Sequence, residues 1–256
     1  DACWYPLMDS NDLQSCALAV IMHREPIRLI DSNDGHLRGL YPIPKNNGKL
    51  SCLTCVGFLG GEILSGSTHF LFGSDITRPN QEAEIKFETK GAILSMASHS
   101  SLSLTAVGMS TGSVYILDNS DFSVVCELNH HSHGVDAVAF CGAELISSAK
   151  LENLICVTNL YQINQNHMKI KTGRISSRHI SISTDGVHLA IGNEVGSAFI
   201  VKDSKVKAIT TGPTPIAEIC GSSVATISGC FQLNPGEIPS FEPTFNSFRR
   251  IDLTTI

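Results

Sequence analysis

The sequence predicts an all-β fold, a β-propeller of WD-type repeats, on three observations. Pairs of short apolar strands recur about every 40 residues, the length of one propeller blade. Turn residues rather than long connections separate the strands within each pair. No stretch sustains the apolar period of a long helix.

The units follow in order. Residues 18–21 pair with 27–31, 62–66 with 69–72, and 104–108 with 113–118. Residues 145–149 then pair with 154–157, and 188–192 with 198–203. Residues 224–229 begin a sixth unit that has no clear partner strand. Apolar strands at 52–58, 93–97, 135–140 and 180–182 open the later units. Asp34-Gly35, Thr111-Gly112 and Asp185-Gly186 supply tight turns, because glycine takes positive φ without a Cβ clash. A blade hides both faces against its neighbours. Small residues such as Ser65, Gly108, Ala149 and Gly192 are therefore expected where sheets approach closely. A two-sheet sandwich also has short strands and turns; the regular period favours the propeller.

This gives five full blades and a partial sixth over residues 1–233, against the roughly 4–8 blades of known propellers. The chain opens on Asp1 rather than Met, so the expectation is an incomplete ring, seven-bladed when whole. The alternative is a ring that closes with few blades. Residues 234–256 stand apart as a tail in which Pro235, Pro239 and Pro243 are interspersed with Phe241, Phe245 and Phe248. Such a segment lies on the body as a flexible tail, or meets a partner as a short motif.

Composition narrows the function. Of 256 residues, 42% are hydrophobic and 16% charged. That is apolar enough for a large core and too weakly charged for disorder. A net charge of −6 counts against bulk binding to phosphate, though not against a local basic patch. The nine cysteines are odd in number and irregular in spacing. Most sit in apolar runs, where a free thiol is a small hydrophobe, so a reducing compartment is expected, nuclear or cytosolic. No run approaches the ~18 apolar residues of a membrane span, and no secretory signal opens the chain.

Catalytic motifs are missing. There is no G-x-S-x-G elbow and no phosphate-binding loop with its lysine. Cys52 and Cys55 have metal-like spacing, but residues three apart on a strand face opposite sides, and no second pair follows. Core packing is the expected role. His130, His131 and His133 precede Gly134 in a connection between units. A hydrogen-bonding structural role is expected there rather than metal binding. His99 reads as a turn residue, and Glu82 and Glu84 as a solvated connector. No enzyme activity, cofactor, metal or small-molecule substrate is expected.

One stretch is more specific. It begins Cys3-Trp4-Tyr5-Pro6-Leu7-Met8, continues through Arg24-Glu25-Pro26-Ile27-Arg28-Leu29-Ile30-Asp31, and ends in Gly35-His36-Leu37-Arg38 and Tyr41. This resembles the telomerase Cajal body protein family of WD-repeat proteins, with its "CWYP", "R-x-x-P-I-x-L-W-D" and "G-x-L-R" strands. Thr77-Arg78-Pro79 resembles that family's "R-P-G" turn, and His131 to Phe140 its "G-H-x-G-G-I" repeat start. Residues 178–186 resemble a later blade opening. The repeat tryptophan is absent: Ile30-Asp31, Leu117-Asp118 and Lys202-Asp203 stand where Trp-Asp is usual, and Trp4 is the only tryptophan. The resemblance implies a diverged, N-terminally shortened member. It implies a non-catalytic scaffold that binds small Cajal body RNAs or telomerase RNA, with ribonucleoprotein proteins as further partners. It places the chain in the nucleus, at Cajal bodies. A protein-interaction propeller with no RNA role is the alternative.

Arginine can grip phosphate with two hydrogen bonds, and tyrosine can stack on an unpaired base. The candidate RNA- or partner-binding residues are therefore His23, Arg24, Arg28, Arg38, Tyr41, Arg78 and Arg178. Arg24 and Arg28 could equally form a solvated edge, paired with Glu25 and Asp31.

Overall fold

The structure is a computed structural model. It describes residues 1–232 apart from 10, 47–48, 150, 153, 163–167, 172–179, 185–188, 194–196, 203–204, 211–215, 221–222 and 227–228. Side-chain surroundings are described mainly up to residue 162. The expectations for Arg178, for Asp185-Gly186 and for the tail 234–256 fall outside the described residues.

The chain folds as a WD-repeat β-propeller. Blade 1 is β1 (Ala2–Trp4), β2 (Ala17–Val20), β3 (Ile27–Asp31) and β4 (Leu37–Tyr41). A two-strand hairpin, β5 (Lys45–Asn46) and β6 (Lys49–Leu50), leads onward. Blade 2 is β7 (Leu53–Leu59), β8 (Glu62–Ser67), β9 (Phe70–Asp75) and β10 (Glu84–Glu88). Blade 3 is β11 (Ile93–His99), β12 (Leu104–Met109), β13 (Val114–Asp118) and β14 (Val124–Leu128). Blade 4 is β15 (Ala137–Cys141), β16 (Glu144–Ala149), β17 (Leu154–Asn159) and β18 (Met168–Lys171). Blade 5 is β19 (Ile180–Thr184), β20 (Leu189–Asn193), β21 (Ser197–Lys202) and β22 (Lys205–Thr210). Within each blade the strands pair antiparallel in chain order. The first strands of successive blades pack side by side, β1 on β7, β7 on β11, β11 on β15 and β15 on β19.

The sixth unit is fuller than the sequence suggested. β24 (Ser223–Thr226) lies between β23 (Ile216–Cys220) and β25 (Gly229–Gln232). Its partner strands are short, and Gly229 opens one of them, which hid them from a reading based on apolar runs.

Alternation on the strands builds the core between blades. Ile63 and Phe72 of blade 2 point toward Ala19, Ile27 and Leu29 of blade 1. Their neighbours Leu64 and Leu71 point the other way, toward Ile93, Val107 and Leu117 of blade 3. Ala106, Val114 and Ile116 then meet Val135, Val138 and Leu145 of blade 4. Burying each of these large aliphatic chains contributes roughly 1.5–3 kcal/mol.

Close approach sets the small residues. A Cβ on Gly66 would lie 2.7 Å from Cys55 Sγ and from Ile93 Cγ2. One on Gly108 would lie 2.4 Å from Ser95 Oγ and 2.8 Å from the Val135 carbonyl oxygen. Beside these glycines a hydroxyl crosses to the next blade. Thr54 donates to the Ile93 carbonyl, and Ser95 donates to that of Val135 at 2.8 Å. In both strands the register shifts just there, between Leu53 and Cys55 and between Ile93 and Ser95. The bulge aims the hydroxyl across the gap.

In blades 1 to 4 the third strand ends in a shared turn. Asp31 accepts from the Asn33 amide at 2.8 Å, Asp75 from Thr77 at 2.9 Å and Asp118 from Ser120 at 2.7 Å. Asn159 does the same for Tyr161 at 2.9 Å. The aspartate of the Trp-Asp pair is thus retained as a turn cap in blades 1 to 3, with asparagine in its place in blade 4, while the tryptophan is not. Two sequence expectations change in detail. Glu84 opens strand β10 and is held by Lys86 at 3.1 Å rather than lying in a connector. His99 ends strand β11, accepts from the Leu102 amide at 3.2 Å and meets Phe140 edge to face.

Candidate binding surface

Antiparallel strands put alternate turns at opposite ends of a blade. In blade 1 the turns 5–16 and 32–36 share one end, and the turn 21–26 lies at the other. Among the candidate residues, His23 and Arg24 occupy the turn 21–26. Both are exposed, and Arg24 is held at φ 58°. Neither makes a hydrogen bond or ion pair among the described residues. They are the two candidates among the described residues whose polar groups remain free for a ligand.

Arg28 sits on β3 opposite Val20 and Leu40. Its Nη2 lies 2.6 Å from Glu25, which already engages the guanidinium. Arg38 belongs to the far end of the blade. Its guanidinium donates to Asp31 and to the Leu13 and Gln14 carbonyls, the Leu13 contact at 3.0 Å. It ties the long turn 5–16 to the turn 32–36. The Arg38 hydrogen bonds beside Asp31 hold that carboxyl below the usual carboxylate range.

Tyr41 corrects the sequence reading. Its side chain is buried, and its hydroxyl donates to the Ile76 carbonyl at 2.7 Å. Neither ring face is free to stack on a base. Burial is the first cause that raises its pKa. The partner is a segment that clasps blade 1. After β9, residues 76–83 lie along β4: the Asn80 amide donates to Leu40 at 2.7 Å and the Ala83 amide to Pro42 at 2.9 Å. A Cβ on Gly39 would come within 3.0 Å of Pro79. Asn80 carries φ 68°, a left-handed conformation that asparagine tolerates better than most residues. This is the position of glycine in the "R-P-G" pattern. Arg78 lies exposed on the clasp with Nε 3.3 Å from Asp75.

The candidates are therefore not one patch. His23 and Arg24 face one end of blade 1, Arg38 the other, Arg78 the clasp, and Tyr41 the interior.

The histidine connection is structural, as the sequence suggested. His131 is buried between β16 and the turn after it. Its Nε2 lies 2.9 Å from Ser147 Oγ and its Nδ1 3.2 Å from Glu152. A carboxylate only accepts, so Nδ1 carries the proton and Nε2 accepts from the serine hydroxyl. Burial lowers the His131 pKa against the opposing pull of Glu152, which keeps the ring neutral. Burial pushes the Glu152 carboxyl up, but hydrogen bonds from Ser132 and His133 outweigh it and hold the group at about 2. A Cβ on Gly112 would strike the His131 carbonyl at 2.3 Å, so that turn also depends on glycine.

Chemistry of the reactive kind is not assembled among the described residues. No three His, Cys, Asp or Glu side chains converge as a metal site. Cys55 is buried, and burial pushes its thiol up to about 12, so it stays protonated. A polar cavity of about 130 Å³ on blade 2 is lined in part by Glu62, Asp75, Arg78 and Glu84. Its charges are met internally: Lys86 bridges Glu62 at 2.9 Å and Glu84 at 3.1 Å.

No family model matches the chain, and no curated protein matches it. A chain in the crystal structure of the mitotic checkpoint complex is similar in fold, with a TM-score of 0.65. The two are 15% identical over 84% of this chain and 70% of that one. At this identity the likeness shows the WD-repeat propeller fold alone. Matching solved chains number 1428, so the fold is shared too widely to name a function.

Proposed function

We propose that the chain is a non-catalytic WD-repeat scaffold of the telomerase Cajal body protein type. In this reading it holds a small Cajal body RNA or telomerase RNA, together with ribonucleoprotein proteins, in the nucleus at Cajal bodies. The supporting observation is that the scattered resembling segments form one unit. The "CWYP" strand enters β1, the "R-x-x-P-I-x-L-x-D" segment forms β3, and "G-x-L-R" enters β4, all in one sheet. The distant Arg78-Pro79-Asn80 turn clasps that same sheet through Leu40 and Gly39. That the matching segments also pack on one another supports this reading.

Within this reading the RNA contact is the His23–Arg24 turn, where a free guanidinium can meet phosphate. The test is binding of a short labelled RNA hairpin at several salt concentrations. Arg24→Ala should weaken binding and reduce the salt slope by about one unit. Arg28→Ala should cost less, because Glu25 already holds that side chain. Unchanged binding by the His23→Ala, Arg24→Ala double variant would remove this turn from the site.

A second reading is a protein-interaction propeller with no RNA role. The observation in its favour is that Arg28, Arg38 and Arg78 are each paired with a carboxylate of the same chain. No binding of any RNA hairpin by the parent chain would select it.

A further inference from the structure

We infer that the end of blade 1 built from turns 5–16 and 32–36 is a docking surface for a protein partner, which presents apolar side chains beside lysine or arginine. This inference is independent of the RNA reading, since it concerns the opposite end of the blade from His23 and Arg24.

The first argument is exposed apolar surface. Leu7 and Leu13 are 67% and 61% exposed, and Met8 and Leu37 are 40% and 45% exposed. Isolated exposed leucines are ordinary, but several large chains gathered on one surface mark interaction sites. Leu7, Met8 and Leu13 share one turn, and specific bonds join that turn to the one that precedes Leu37. The Asn33 side chain donates to the Leu13 carbonyl at 3.2 Å, and Arg38 donates to it at 3.0 Å. The Ser32 amide donates to Cys16 at 3.1 Å.

The second argument is order. The turn 5–16 is closed by its own hydrogen bonds: the Asp9 amide to Ser15 Oγ at 2.7 Å, and the Ser15 amide to the Asp12 carbonyl at 2.9 Å. A preformed surface loses little freedom when a partner binds.

The third argument is charge, and it selects the partner. Asp9 and Asp12 lie on the turn that carries Leu7 and Leu13, and Asp34 lies on the turn bonded to it. Each accepts a backbone amide, from Asn11, Gln14 and His36 in turn, and none meets a lysine or arginine among the described residues. Arg38, the arginine bound into this surface, is taken by Asp31. The surface is therefore apolar and net negative. It repels phosphate and favours a basic segment with apolar anchors.

The probe is a labelled 16-residue peptide of leucine and lysine in an amphipathic pattern, with a leucine and glutamate peptide of the same pattern as control. Binding is read by fluorescence anisotropy with the full chain. The decisive variant is Asp9→Asn, Asp12→Asn, Asp34→Asn, since asparagine keeps each turn-capping oxygen and removes only the charge. The parent should bind the lysine peptide and not the glutamate peptide. The triple variant should weaken binding about tenfold and flatten its salt dependence. Leu7→Ser, Leu13→Ser should weaken it without changing the salt dependence. His23→Ala, Arg24→Ala should leave it unchanged. Equal binding of both peptides, or an unaffected triple variant, overturns the proposal, as does displacement of the peptide by an RNA hairpin.

Discussion

Tyr41 shows how far a single residue can be read from sequence. Its position in the family-like segment made it a candidate for stacking on a base, yet it is a core residue whose hydroxyl anchors the clasp at Ile76. Strand alternation determines which face a side chain takes, and Tyr41 shares its buried face with Gly39, opposite the buried Ile27, under the clasp 76–83. That clasp comes from 35 residues further along the chain, which the residue pattern does not show. Tyr41→Phe leaves the Ile76 carbonyl without its donor and should cost about 1–2 kcal/mol in urea unfolding. RNA binding per folded molecule should stay the same; a loss of binding at unchanged stability would restore the stacking role. His131 was more legible, because a histidine before a Gly-opened repeat has a known kind of job. Its partner Glu152 was not, since it comes from a turn 21 residues later. The pH dependence follows from Glu152. Its folded pKa of about 2 lies below the ordinary 4.5, so its stabilising effect is complete above about pH 4.5 and is lost as pH falls toward 2. Urea midpoints of Glu152→Gln should be lower at pH 7 and depend less on pH between 4.5 and 2 than those of the parent. Parallel pH profiles would refute the assignment.

At the scale of the element, strands and tight turns were readable, and the bonds between blades were not. The pairs at 104–108 and 113–118 correspond to β12 and β13 because alternation and turn glycine agree there. The reading of Gly108 as a close-packing site is sound for a reason the sequence does not show: Ser95 of β11 and Val135, just ahead of β15, fill the space a side chain would need. Gly108→Ala should therefore cost about 1–3 kcal/mol by overpacking, measured by thermal or urea unfolding. A variant as stable as the parent would mean that the blades separate easily at this point. The turn-capping aspartates repeat as regularly as the strands. Ile30-Asp31 and Leu117-Asp118 were legible as Trp-Asp positions, while Ser74-Asp75 and Thr158-Asn159, which close the same turn, were not. The loss of tryptophan is tolerated because aspartate alone can close the turn, while the packing comes from the aliphatic rows between blades.

For the molecule as a whole, the propeller was legible because the period is global and survives local divergence. The function is less so. A propeller supplies rims and loops, and the residues on them do the binding. The seven candidate residues were chosen for their chemistry, and the fold distributes those it describes over two ends of a blade, a clasp and the core. Among the described candidates, His23 and Arg24 at one end of blade 1 keep unpaired polar groups, and the docking surface proposed above lies at the other end. A scaffold with two such ends could hold a nucleic acid and a basic protein segment at once.

The most direct test of the scaffold reading is the affinity of the full chain for a small Cajal body RNA hairpin, titrated beside a scrambled hairpin of equal length at physiological salt. The account predicts tighter binding of the Cajal body hairpin, weakened when Arg24 is replaced by alanine. Equal affinity for the two hairpins, or none for either, would contradict it.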